Sequence, residues 1–307
     1  MRTDHNWLWA GSGTTFETTP EEQAWEGRYP LWMWWNLLSL DAPTVVCLWA
    51  LFFANALRIP IPVLDSTLLT VTVWIIYVSD RMLDALLPSP DLAHSDRHNF
   101  HARHSYAMLG ALLPITAATI WISLTRLSSQ TRAVGLVMCG AVSFYFLVIH
   151  VVPDRVVRWF PKELFVGAIF AAGATIPAWN HAAESRKVLI PAAVLFAGLC
   201  GLNCLAIECW EHHRGKRQWE KAPYWLIQLA DSRIKQIAAT LIVGAGFIGA
   251  LGRHNAGQAE LVGASAVSLS LIAALDWRSN DFSPQVLRVL ADTALLTPAI
   301  FLLKSVL

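Results

Sequence analysis

The chain has 307 residues, of which 55% are hydrophobic and only 15% charged, with a net charge of +1 and a mean hydropathy of +0.45. Ordinary soluble domains carry about 25% charged residues, so these values speak against a pair of soluble domains and for one membrane domain. A near-neutral balance also gives no electrostatic ground for nucleic-acid binding.

The first 30 residues are mostly polar, include the acidic run TTPEEQAWEGR, and show no basic stretch leading into an apolar core. They read as a cytoplasmic tail, residues 1–30, without a cleavable signal. Residues 31–307 read as the membrane domain. LWMWWNLLSL comes first and is expected at the bilayer interface, with Asp41 capping the next helix and Pro43 in its first turn. Nine runs then approach the roughly 20 apolar residues a spanning helix needs: 42–57, 64–84, 107–124, 133–152, 163–179, 188–210, 234–251, 259–276 and 285–306. The fold class is therefore all-α, a polytopic bundle of nine transmembrane helices. Pro114, Pro177, Pro191, Gly198 and Gly201 fall inside spans, where they are tolerated and let helices approach closely. Trp32, Trp34, Trp35, Trp159, Trp179, Trp210 and Trp277 sit near run ends, as interfacial anchors do. The five cysteines are odd in number, lie in apolar runs and lack zinc spacing, so they read as small buried hydrophobes.

Sixteen of the 23 Lys and Arg residues fall in the connections on the side of the N-terminus, which the positive-inside rule makes cytoplasmic. The polar chemistry gathers on that side. Span two ends in SDRMLD, where Asp80 and Asp84 share a helix face. Two carboxylates so placed repel each other unless a cation sits between them, and magnesium takes one or two carboxylates plus phosphate oxygens. Taken alone, a pair of solvated acids, one paired to Arg81, accounts for the motif equally well. Span six ends in GLNCLAIECWEHHRGKR, with Glu208 and Glu211 on one face and Asn203 about two turns deeper. Zinc is not favoured there, since His212 and His213 are adjacent and no second cluster follows; snorkelling charges at a helix end remain an alternative. The loop DLAHSDRHNFHARHS supplies Arg97 and Arg103, and guanidinium groups bind phosphate in a bidentate manner. Lys162 opens span five after Pro161, where either a nearby anion or snorkelling would explain it. Asp231, Arg233 and Lys235 open span seven. Taken together, two acidic helix ends ringed by basic residues make a magnesium–diphosphate site, with apolar helices behind it for a hydrocarbon tail.

Over residues 40–307 the chain resembles the UbiA superfamily of intramembrane prenyltransferases, which have nine spans and aspartate-rich motifs after spans two and six. Asp80-Arg81-Met82-Leu83-Asp84 is similar to the D-R-x-x-D ending of the first motif, FPKELFVGAIFAAGATIP to the family's Lys-opened fifth helix, and Asp231 to Lys235 to the start of the seventh. The Asn and Asp that begin the first motif fall here at Ile76 and Tyr77, and the second motif is Glu-x-x-Glu with an upstream Asn. The resemblance implies magnesium-dependent transfer of a prenyl group from an allylic diphosphate to an aromatic or other lipophilic acceptor. It implies magnesium ligands among Asp80, Asp84, Glu208, Glu211 and Asn203, and diphosphate contacts from Arg97, Arg103, Lys162 and Lys235. Tyr77, Tyr145 and Trp210 are candidates to face an allylic cation. Two other outcomes of the same bundle are a terpene cyclase, which needs no acceptor, and a non-catalytic isoprenoid-binding or structural membrane subunit.

Overall fold

The computed structural model describes residues 31–86, 100, 104–157, 159–181, 186–214, 225–252 and 256–306. The tail 1–30, Arg97 and Arg103 lie outside these residues. The described chain is all-helical, 88% helix without strands. A short α1 (Leu31–Leu37) leads into α2 (Asp41–Ala56), α3 (Val63–Leu86), α4 (Ser105–Arg126) and α5 (Ser129–His150). α6 (Lys162–His181) and α7 (Arg186–Arg214) follow, then a short α8 (Trp225–Ala230), α9 (Ile234–Leu251), α10 (Ala256–Trp277), α11 (Pro284–Ala294) and α12 (Pro298–Val306).

Seven segments are long and apolar enough to cross a membrane: α3 to Leu83, α4, α5, α7 to His212, α9, α10 and the run Pro284–Lys304. The chain thus has the make-up of a multi-pass membrane protein. Two of the nine expected spans fall short. α2 has 16 residues, and α6 carries Lys162 and Glu163 at one end and Asn180 and His181 at the other. The exposed surface is correspondingly apolar. α5 buries no residue and α4 only Thr119, while Trp121, Leu136, Val137, Val243 and Phe247 stand largely exposed, as lipid-facing side chains do.

Two local expectations change. Asp41 does not precede α2 as its cap but occupies its first turn, buried to 4% exposure. The cause is the turn from α1. Ser39 takes left-handed backbone (φ 55°), Leu40 N–H donates to Trp35 O at 2.9 Å, and the chain reverses sharply enough for Asn36 Nδ2 to donate to Asp41 Oδ2 at 2.8 Å. The second change is in the last span, which is two helices rather than one. Pro298 has no N–H to continue the ladder from α11, so residues 295–297 form turns and α12 begins afresh.

Such a break inside an apolar bundle leaves backbone carbonyls that need donors. Trp49 Nε1 donates to Leu295 O at 2.9 Å, and Thr297 Oγ1 lies 3.1 Å from Ala264 O and 2.7 Å from Ser268 Oγ. Trp49 is itself fixed by stacking on Phe196, with ring centroids 4.1 Å apart. Trp49→Phe keeps most of that packing but orphans the Leu295 carbonyl. It is expected to cost about 1–3 kcal/mol, measured by thermal or denaturant unfolding in detergent.

The core runs from α2 through α6, α7, α9, α10 and α11, with α7 at its centre. α6 meets α7 along the small buried residues Gly167, Ala171, Ala174 and Ala178, spaced at four, three and four. Small residues at that spacing let two backbones come together. Gly201, expected to serve close approach, does so: a Cβ built on Gly167 would lie 2.6 Å from Gly201 N.

Candidate functional site

Ion pairs and hydrogen bonds join the ends of α6, α7, α10 and α11, and a separate contact joins the ends of α3 and α5. Lys162, the first residue of α6, follows Pro161, and its Nζ lies 3.2 Å from Glu208 Oε1 on α7 and 3.8 Å from Glu163 Oε1. Glu211, one turn beyond Glu208, turns instead to α11, where Arg288 Nε donates to its Oε1 at 2.9 Å and Nη2 also contacts it. Trp210 Nε1 donates to Asp276 Oδ1 at the end of α10, at 2.9 Å. Asp80 on α3 faces His150 at the end of α5, with Oδ1 and Nε2 3.5 Å apart. The two glutamates predicted on one face therefore serve two different neighbours.

Deeper in the bundle lies a cavity of about 50 Å³. Asp41 (α2), Tyr77 (α3), Cys200, Asn203 and Cys204 (α7) and Asp292 (α11) supply its polar lining, and Val166, Phe170 and Leu295 are among its apolar walls. Asn203 Nδ2 donates to Asp292 Oδ1 at 3.2 Å. Leu295, at the helix break, lines the same space. The cavity exists because α11 stops there and because the turn before α2 delivers Asp41 inward.

Among the residues expected at the site, Lys162, Glu208 and Glu211 stand in this ion-paired network, and Asn203 stands in the cavity below it. Asp80 is 31% exposed at the end of α3. Asp84 lies in the last turn of α3, and its side chain is outside the described residues, as are Arg97 and Arg103. Lys235 is exposed in the first turn of α9 and joins no ion pair among the described residues. Of the three aromatics, Tyr77 lines the cavity, Tyr145 stacks on Phe165 (centroids 6.3 Å apart), and Trp210 is buried with its indole on Asp276.

Arg288, Asp292, Asp41 and His150 were not foreseen as site residues. Arg288 and Asp292 carried a signal nonetheless. They sit four apart within an apolar run, and charges inside a span require partners. Their partners, Glu211 and Asn203, were the other polar groups in apolar sequence.

Chemically, the network holds two cations, Lys162 and Arg288, in fixed positions by means of two glutamates. That suits recognition of an anion at the bundle end. Among the described residues no group of three or more His, Cys, Asp or Glu is arranged to hold a metal ion. Glu208 is engaged by Lys162 and Glu211 by Arg288. Comparison with models of known families, with curated proteins and with solved structures returns no match, so the reading of this site rests on its own geometry.

The pair tests cleanly. Arg288 and Glu211 are only 25% and 34% exposed. Arg288→Met strands the Glu211 carboxylate and is expected to cost about 2 kcal/mol, somewhat below a fully buried pair. The double variant Arg288→Met with Glu211→Leu is expected to return to within about 1 kcal/mol of the wild type, since a well-packed apolar pair replaces a buried ionic one at little cost. Denaturant unfolding of the four proteins of this cycle in detergent measures both.

Proposed function

We propose that the protein is an integral membrane prenyltransferase of the UbiA type, a nine-span bundle that moves a prenyl group from an allylic diphosphate to a lipophilic acceptor. The observation that supports this reading is the pairing of Lys162 with Glu208 and of Arg288 with Glu211 at the end of α7, with Asp80 at the end of α3 as a further acidic helix end. In this reading α2 and α6 also span the bilayer, shortened by the polar residues at their ends. The polar end faces the cytoplasm, where sixteen of the 23 basic residues fall.

Each group then has a task. Lys162 and Arg288 meet the diphosphate oxygens; Glu208 and Glu211 position those two cations rather than bind a metal. Asp80 and Asp84, one turn apart on α3, are the magnesium ligands, and the metal would supply charge neutralisation to the leaving diphosphate. Arg97, Arg103 and Lys235 remain secondary candidates for phosphate contact. The C–O bond to the diphosphate breaks, the electron pair leaves with the oxygen, and the acceptor bonds to the prenyl carbon while losing a proton. Preformed cations lower the barrier because they need no reorganisation as charge develops.

A second reading rests on a specific observation. The α7 carboxylates are already neutralised by Lys162 and Arg288, and Ile76 and Tyr77 stand where the family carries Asn and Asp. A non-catalytic isoprenoid-binding or structural subunit would look like this. The experiment is incubation of purified protein in lipid nanodiscs with labelled prenyl diphosphates, magnesium and a panel of acceptors, with calorimetry of an unreactive diphosphate analogue alongside. Magnesium-dependent product supports the transferase, and product without acceptor assigns a cyclase. Absence of both turnover and magnesium-dependent analogue binding overturns the proposal in favour of the second reading.

A further inference from the structure

In the proposed transfer the acceptor loses a proton, and that proton needs a taker. The carboxylates of the α7 end already serve donors. Glu208 accepts from Lys162, Glu211 from Arg288 and Asp276 from Trp210, and in the cavity below Asp292 accepts from Asn203. Asp80 and Asp84 are assigned to magnesium. Glu163 stands apart from these. It is 4% exposed, and its Oε1 accepts no hydrogen bond. Lys162 Nζ lies 3.8 Å from that oxygen, beyond hydrogen-bond distance, and is drawn to Glu208 at 3.2 Å. A carboxylate oxygen taken from water without a donor in exchange carries the full cost of its lost hydration.

Its place in the fold makes that burial informative. Glu163 falls in the first turn of α6, where an acid gains from the helix dipole on any face, the exposed one included. Here it is buried where α6 meets α7: a Cβ built on Gly201 would lie 3.6 Å from Glu163 O. Val166, one turn further along α6, and Cys204, one turn beyond Gly201 on α7, both line the cavity. Along α6, Glu163 therefore falls between Lys162, which meets the diphosphate in this reading, and the level of the cavity.

We propose that Glu163 is the general base of the transfer, its carboxylate taking the proton that the acceptor loses as it bonds to the prenyl carbon. This rests on the prenyltransferase reading and adds a residue for the step that follows ionisation. A diphosphate oxygen held by Lys162 stands about 3 Å from Nζ, and the attacking atom about 3–3.5 Å from the prenyl carbon. The proton is thus released close to an oxygen that is 3.8 Å from the same Nζ. The step balances. An electron pair of the acceptor forms the new bond, the C–O pair leaves with the diphosphate, and the proton passes to Glu163, which gives it up to solvent as product leaves. An oxygen with no competing donor is open to accept it. Lys162 links the two halves of the reaction, since the ammonium that meets the leaving group also stands beside the base.

The test uses the full chain in lipid nanodiscs with labelled prenyl diphosphate, magnesium and the acceptor panel. Glu163→Gln, of the same size, is expected to lower kcat for transfer about 100-fold or more, with the KM for the diphosphate held within about threefold. Cleavage of the diphosphate without transfer, read as prenyl alcohol, should persist in this variant, because ionisation does not need the base. Glu163→Asp keeps a carboxylate one methylene back and should transfer at least about tenfold faster than Glu163→Gln. Glu260→Gln, an exposed acid elsewhere, should match the unmodified protein. Calorimetry with the unreactive diphosphate analogue follows the site itself, and unchanged magnesium-dependent binding by Glu163→Gln is expected. Transfer by Glu163→Gln within about threefold of the unmodified protein overturns the proposal, as does an equal loss in Glu163→Asp and Glu163→Gln. A parallel loss of transfer, prenyl alcohol and analogue binding also overturns it, by showing that Glu163 only holds Lys162 in place. No product from the unmodified protein with any acceptor overturns the transferase reading and the base together, and differs from the other outcomes, which all require turnover by that protein.

Discussion

Gly167→Leu is expected to abolish recovery of folded protein, and even Gly167→Ala to lower stability by about 2–3 kcal/mol. The reason lies in what a side chain there would strike. A Cβ on Gly167 would stand 2.6 Å from Gly201 N, 2.7 Å from Ala197 O and 2.9 Å from Gly201 Cα. All three are backbone atoms of α7, so no rotamer change relieves the clash, and α6 must move away from its partner. This contact is the most extensive in the bundle. Separation would also pull Lys162 from Glu208, because Lys162 lies just over one turn before Gly167 on the same helix. Gly173 provides the control. Its added Cβ would meet only Leu69 Cδ1, at 3.9 Å, so Gly173→Ala is expected to be neutral or slightly stabilising through better helix propensity. Monodispersity on size exclusion and unfolding temperature separate the cases. Equal stability of the Gly167 and Gly173 alanine variants would refute the close-packing account.

The comparison of glycines shows why some of the fold was legible in sequence and some was not. Apolar run length is a property of each segment alone, so most spans were readable, and 234–251 coincides with α9. Which glycine lets helices touch depends on the facing helix, and Gly167 looks like any other small residue in GAIFAAGA. The broken last span had a local cue in Pro298, but a mostly apolar run of 22 residues, 285–306, read more strongly as one helix. What keeps the break stable is Trp49, 246 positions away in sequence.

The candidate site divides along the same line. Lys162, Glu208 and Glu211 were found because a charge at the end of an apolar run is conspicuous by itself. Their pairing was not, since the glutamates on one helix face split between α6 and α11. Asp41 was read as a helix cap because Asp before an apolar run usually is one. The left-handed Ser39 turn that carries it inward is invisible in LLSLDAP, where Gly would be the ordinary signal for such a backbone.

The second large effect concerns activity. Replacing Asp80 and Asp84 together by Ala is expected to cut magnesium-dependent product formation by about 100-fold or more while the protein remains folded, because loss of charge stabilisation at a leaving group is worth roughly 3 kcal/mol or more of barrier. Retention of the fold is expected because Asp80 is half-buried at a helix end and its contact to His150 is long, at 3.5 Å. A partly buried contact of that length is expected to contribute little, about 1 kcal/mol or less. The control distinguishes ligand from scaffold. His150→Gln removes the partner and keeps the aspartates, so it should leave turnover within about twofold if Asp80 acts toward metal and diphosphate. Lys162→Met should instead raise the KM for the diphosphate and lower kcat, since the cation contacts the leaving group in both ground and transition states. The magnesium dependence of the residual rate is the sharper measurement. If the double alanine variant keeps the wild-type magnesium midpoint and rate, α3 is not the metal-binding half. The carboxylates at the end of α3 would then be solvated helix-end acids, and the ion-paired glutamates of α7 a structural clamp on α6 and α11.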